Sequence, residues 1–172
     1  MSQDMALVRI PVGVVVERVK AKSPWIDYVW HSVAMLPDAP DMSAWTVLKA
    51  DGEVTTFYGG SAEIELFRTE TGNYRDNLAT GAPLVWVALR AANSEPPYTV
   101  FAVTADPAEG EAFTEAGDDL IDSVAMPDEI AQVVADFVAE HHVERVFTKR
   151  KRDRADPQSL ARRGPLRESE DE

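Results

Sequence analysis

The chain contains no cysteine. Disulfides, thiolate nucleophiles, Cys-ligated zinc and iron–sulfur clusters are therefore excluded. Glycine is sparse, nine residues in 172, and none of it forms a G-x-x-x-x-G-K-[ST] or G-x-G-x-x-G run. Gly59-Gly60 reads as a hairpin turn and does not precede a helix, so the backbone cradle of a phosphate site is not expected there. The nucleophile elbow G-x-S-x-G is missing, as is any calcium loop with alternating oxygen ligands around a central glycine. No apolar run approaches the ~20 residues of a membrane-spanning helix. The opening Met-Ser-Gln-Asp-Met has neither the basic start nor the apolar stretch of a signal peptide. A cytoplasmic protein in a reducing compartment, with no cofactor and no metal, is the expectation.

Positive charge is scarce in most of the chain and concentrated at its end. Residues 1–143 hold 8 Lys/Arg against 23 Asp/Glu, a net of −15, while residues 144–172 hold 9 against 7, a net of +2. Within the latter, Lys149, Arg150, Lys151, Arg152 and Arg154 form a compact basic run interrupted by Asp153. The acidic body disfavours nucleic acid and anionic membranes, both of which repel it. A basic arm on an acidic body suggests contact with another macromolecule, and an acidic protein partner suits it better than phosphate. With 45% hydrophobic residues the body can bury a core. A single α+β domain over residues 1–148 and a flexible charged tail over 149–172 are expected.

Periodicity supplies the elements. Residues 7–18 (LVRIPVGVVVER) read as a strand, with Pro11 and Gly13 arguing for an edge or a bulge. Residues 28–36 read as a second strand. Residues 45–49, 54–58 and 62–68 read as a meander, turning first at Asp51-Gly52, a type I′ signal, and then at Gly59-Gly60-Ser61. In its last strand Ala62, Ile64 and Leu66 share one face and Glu63 and Glu65 the other. Residues 73–78 suit one or two helical turns before Gly81. Residues 84–90 and 98–103 are apolar on both faces, like central strands. Asp106-Pro107-Ala108-Glu109 is a helix start with an N-cap, a proline at the first turn and a capping-box glutamate. A short strand over 119–124 precedes a helix from Pro127 to about His142, with Ile130, Val133, Val134, Phe137 and Val138 on one face. The expected architecture is α+β: a mainly antiparallel twisted sheet or half-barrel of six to seven strands with two to three helices. Both later helices, including the C-terminal amphipathic one, pack on one face of the sheet, and a disordered tail follows.

Groups for chemistry are few. Of three histidines, His141 and His142 are adjacent, so on a helix they point about 100° apart and cannot grip one ion from one face. They suit the negative end of a helix. His31 reads as a packed or edge histidine. Glu63/Glu65, Asp118/Asp119 and Asp128/Glu129 read as a solvated acidic surface. Trp86 lies in the most apolar strand and reads as core. Trp25, between Pro24 and an isoleucine followed by Asp27, is the tryptophan best placed for exposure and for a protein contact.

Three segments, PWIDYVWHSVAMLP, ELFRTETGNYRDNLATGAPLVWVALR and DSVAMPDEIAQVVADFVAEHHVERVFTKRKRDR, resemble the bacterial domain-of-unknown-function family 3305 from about Ile10 to Arg154. The resemblance implies a genomic setting beside molybdenum-dependent formate dehydrogenase and its maturation proteins. Some members carry the label of a molybdopterin-guanine dinucleotide biosynthesis protein. A guanylyltransferase of that kind needs a glycine-rich strand–loop–helix, where this chain reads RIPVGVVVERVK, and sulfur transfer needs a cysteine. The expectation is a non-catalytic accessory or interaction protein for the molybdoenzyme or its maturation factors, using Trp25 and the basic run. The alternative is a binder of, or enzyme acting on, a molybdopterin nucleotide, with a pocket lined by Trp30, Trp45 or Arg75.

Overall fold

A computed structural model describes residues 5–115 and 117–143. Chain contacts divide after His142. Only Val143 of the second unit is among the described residues, so the tail expected from Lys149 lies outside them.

Among the described residues seven strands and three α-helices follow one another as β1 (Val8–Lys20), β2 (Tyr28–Leu36), β3 (Thr46–Asp51), β4 (Val54–Leu66), α1 (Thr71–Ala79), β5 (Leu84–Ala91), β6 (Tyr98–Thr104), α2 (Pro107–Phe113), β7 (Leu120–Ala125) and α3 (Asp128–His141). The class is α+β and every ladder is antiparallel, as expected. The strands form two sheets, however, not one: β2-β1-β4-β3 and β6-β5-β7. β2 lies beside β7 and β4 beside β6, without a ladder at either seam, so the arrangement stays open.

β4 departs most from the sequence reading. The expected turn at Gly59-Gly60-Ser61 does not exist, and one strand of 13 residues runs through it. The glycines form a bulge, with the pairing of β1 to β4 shifting between Val14 and Val15 and Gly60 at φ +136°. A side chain at Gly59 would strike the Val16 side chain of β1, so the space there is already filled. The real hairpin turn is Gly52-Glu53, closed by the Asp51–Val54 pair. Only Gly52 has positive φ (65°), the type II′ pattern in place of the expected I′.

The core gathers Val12, Val14 and Val16 of β1, Ile64 and Leu66 of β4, Val85, Val87 and Leu89 of β5, and Ile130, Val134 and Phe137 of α3. α3 lies beside α1, with Tyr74 and Phe137 edge to face at 6.1 Å. Val133, expected on the buried face, is exposed. α2 does not share that side of the sheet. Its Gly110 presses on Trp86, whose side chain points opposite to Val85 and Val87, and a Cβ at Gly110 would overlap the indole. Trp86 is accordingly half-buried under α2 and lines a recess of about 430 Å³ with Leu84 and Pro107, not the core. β6 is an edge of its ladder and not a central strand.

Polar groups fix the helices. Asp106 caps α2 by accepting the Ala108 N–H at 2.9 Å. Glu109 completes a relayed capping box: it accepts the Thr104 hydroxyl at 2.6 Å, and that hydroxyl accepts the Asp106 N–H. Asn77, 4% exposed, donates to the carbonyls of Leu84 (2.8 Å) and Ala105 (3.0 Å) and accepts the Leu84 N–H (3.0 Å). One side chain thus ties α1 to the start of β5 and to the residue just beyond β6, and it is satisfied three times over.

Candidate interaction surfaces

The first surface runs along β2. Ser23 accepts the Trp25 N–H at 3.0 Å, a local turn that holds the tryptophan outward. Trp25 is 88% exposed and Ile26 is 53% exposed. Alternation along the strand then directs Trp30 and Ser32 inward and Val29, His31 and Val33 outward. The outer face is an apolar strip with one histidine in it.

Behind that strip sits an aromatic cluster. Trp30 stacks on Phe57 at 5.9 Å and meets Trp45 and Tyr98 edge-on at 6.0 and 5.7 Å. The Arg18 guanidinium lies 4.2 Å over the Tyr28 ring. Trp45 holds φ +70°, a strained conformation for a bulky residue, and donates its N–H to Tyr58 O at 2.5 Å. The three residues suggested for a pterin pocket are placed differently: Trp30 and Trp45 pack on each other, while Arg75 stands on the exposed side of α1.

The two seams between the sheets differ. At β2/β7, Asp122 accepts the Ser32 N–H at 2.9 Å and lies 3.2 Å from His31 Nδ1. A carboxylate here does the work a ladder hydrogen bond would do, and it orients the imidazole. His31 is the edge histidine that the sequence suggested, with a partner 91 residues away that the sequence did not reveal. At β4/β6 no side-chain bond crosses among the described residues. Instead a groove of about 410 Å³ opens between Ser61, Ala62, Glu63 and Glu65 of β4 and the run from Val100 to Val103 of β6. Phe67 and Glu109 line it too, and both also line an adjoining recess of about 450 Å³ with Glu70, Asn73, Tyr74 and Asp106.

Phe101 marks the groove. Val100 pairs with Leu89 and Ala102 with Ala88, so Phe101 is the extra residue of a bulge and its ring is turned out, 51% exposed. Arg90 covers it at 3.3 Å from the ring centre. Asp119 pins Arg90 through two hydrogen bonds of 3.1 and 3.0 Å. That pairing pushes the Asp119 carboxyl down and the Arg90 guanidinium up from their usual pKa values. On the opposite wall Arg9 hydrogen-bonds Glu65 and sits 3.8 Å from Glu63. In the recess, Tyr74 Oη accepts the Phe67 N–H at 2.9 Å. Burial, and then the charges of Asp106, Glu70 and Glu109, push its pKa up to about 12 despite that hydrogen bond.

The expected acidic pairs have separate partners. Glu63 and Glu65 share Arg9, Asp119 belongs to Arg90, and Asp128 and Glu129 open α3 on its exposed side. His141 packs on Phe137, and His142 Nδ1 lies 2.9 Å from the Thr71 hydroxyl, so the two imidazoles face different neighbours. Among the described residues no group of three His, Asp or Glu is placed to hold a metal, and no helix is long and apolar enough to cross a membrane. Lys149, Arg150, Lys151, Arg152 and Arg154 lie outside the described residues. Sequence reasoning missed Asp122, Phe101 and Asn77. The YTVFAV run carries a weak signal for Phe101, since four apolar residues in succession, Val100 to Val103, cannot all face one core.

The fold and these surfaces describe an open, two-sheet α+β domain with an apolar strip on one side and an acid-lined groove on the other. The chain belongs to the family described as protein of unknown function (DUF3305), whose model matches residues 11–151. No curated protein and no solved structure matches the chain.

Proposed function

We propose that this chain is a non-catalytic accessory protein that docks on another protein through the outer strip of β2, and that the partner is a molybdenum-dependent formate dehydrogenase or one of its maturation factors. The partner class rests on the genomic setting that the family resemblance implies. The docking role rests on one observation: Trp25, Ile26, Val29 and Val33 are all exposed along one segment. Large apolar side chains gathered on the surface mark interaction sites, and tryptophan is the residue most enriched among binding hot spots. The surrounding domain carries strong negative charge, which keeps it soluble and orients approach without adding much affinity.

The test is capture from native cells with the wild-type chain and with Trp25→Ala. Recovery of formate dehydrogenase or a maturation factor with the wild type, reduced about tenfold or more by the substitution, supports the reading. Recovery unaffected by the substitution overturns the role of the strip. Absence of any component of that system from the wild-type capture overturns the partner class.

A further inference from the structure

We infer that the groove between β4 and β6 receives an extended segment of another polypeptide, with Lys or Arg at alternate positions, which adds as a strand along the free edge of β4. Three observations lead there independently of the β2 strip.

The first is backbone supply. β4 pairs with β1 along its whole length, but β3 pairs with it only from Val54 to Tyr58. Beyond the Gly59-Gly60 bulge the second edge of β4 has no ladder partner among the described residues. β6 pairs with β5 alone, and its other edge faces the same gap. Consecutive residues of both strands line the groove, Ser61 to Glu63 on one wall and Val100 to Val103 on the other. In a strand, neighbouring side chains point to opposite faces, so a wall made of successive residues is a backbone edge. Unpaired edges of this kind recruit strands from other chains.

The second is charge. Glu63, Glu65 and Glu109 line the groove, with Arg9 as the counter-charge on Glu63 and Glu65. Glu70 and Asp106 continue the acidic lining into the adjoining recess. Glu63 and Glu65 project on one face, two residues apart, so an added strand places every second side chain opposite them. Opposite charges there are favourable and like charges are not.

The third is Phe101. The bulge turns it to the groove and Arg90, held by Asp119, fixes it from above. A rigid aromatic at the rim of a polar groove is a natural anchor for the alternate apolar residues of the incoming strand.

The geometry also limits where the segment lies. At the Gly60 end Val100 is 3.7 Å from the position of a Cβ on Gly60, so the seam is closed there. Strands sit about 4.8 Å apart, and the segment therefore occupies the Ser61-to-Glu65 end, five residues or about 16 Å of extended chain.

The experiment uses the full chain and a short fluorescein-labelled peptide of alternating Lys and Val, read by anisotropy, with amide exchange to locate it. Saturable binding that weakens with added salt, with new protection at residues 61–65 and 100–103, supports the inference. Phe101→Ala, and Glu63→Gln with Glu65→Gln, each lower affinity about tenfold, while Trp25→Ala leaves it unchanged. A peptide of alternating Glu and Val does not bind, and N-methylation of alternate amides in the Lys peptide abolishes binding. No saturable binding, protection spread over the whole acidic body, or equal binding by the N-methylated peptide each overturns it. Because Trp25→Ala reports on β2 and Phe101→Ala on the groove, failure of one reading is separable from failure of the other.

Discussion

The same two sheets meet twice, and the two meetings are built differently. Where β2 meets β7, one carboxylate, Asp122, reaches across to a backbone N–H and an imidazole. Where β4 meets β6, among the described residues no side chain crosses, and carboxylates line the gap instead of bridging it. An acidic residue in a seam is therefore not a structural or a functional sign by itself. What decides is whether a donor faces it: Ser32 N–H faces Asp122, whereas the β4 and β6 edges leave their own polar groups for something else.

Substitutions that strike the two seams unequally test this contrast. The largest expected effect is at Asn77, which fixes the residue following β6 and so one wall of the open seam. Asn77→Ala deprives one buried and two partly buried backbone groups of partners and should destabilise by roughly 3 kcal/mol. At roughly 2–4 °C per kcal/mol for a chain of this length, the melting temperature drops by about 6–12 °C, with early amide exchange in β6. Next comes the bridged seam itself. Asp122→Ala leaves the Ser32 N–H unmet and should cost about 2 kcal/mol, and Asp122→Asn should cost less because its amide oxygen still accepts. Denaturant melts of the two variants check this, and equal losses would mean that the carboxylate's charge, not its acceptor role, holds the seam.

The pH dependence of the open seam follows from Tyr74. Its phenol is neutral in the folded protein until about pH 12, whereas in the unfolded chain it ionises near 10. The fold is thus favoured fully below pH 10, and this contribution is lost as pH rises towards 12, by no more than about 3 kcal/mol. Tyr74→Phe should flatten that part of the stability profile, measured by urea unfolding at pH 9 to 12. The smallest effect is at Phe101. Its ring and Arg90 are both largely solvent-facing, so Phe101→Ala should change stability by less than about 0.5 kcal/mol. Such a variant alters the groove and little else, and a large loss of stability would show that the Arg90–Phe101 stack supports the sheet.

Local signals gave β2 to the residue, the Asp106-Pro107 helix start and the amphipathic face of α3 apart from Val133. They failed where a local pattern has two physical meanings. Glycine pairs suit a turn or a bulge equally, and the choice at Gly59-Gly60 is made by Val16 on another strand. Residues 84–90 are the central strand that was expected, but an apolar side chain there reads as core whether its face meets the other sheet or a helix, and Trp86 meets α2. The surfaces were less legible still. Trp25 was recognisable from its polar and proline neighbours, but the groove joins residues 61–67 to 100–109 and His31 to Asp122 is a separation of 91 positions. No spacing rule spans such distances. The division of the strands into two sheets is equally a matter of which edges find partners, and the sequence of a strand does not record that.

The bulge at Gly60 also separates the two halves of β4 mechanically. Before it, the strand supports an outlying ribbon, β3, whose residues are all exposed and whose tip at Gly52 has open space around it. After it, the same strand forms a wall of the groove. Cargo spliced into that tip, such as a fluorophore or an affinity handle, would ride on the ribbon and leave the groove undisturbed, making the loop between Asp51 and Val54 the natural place to instrument this protein.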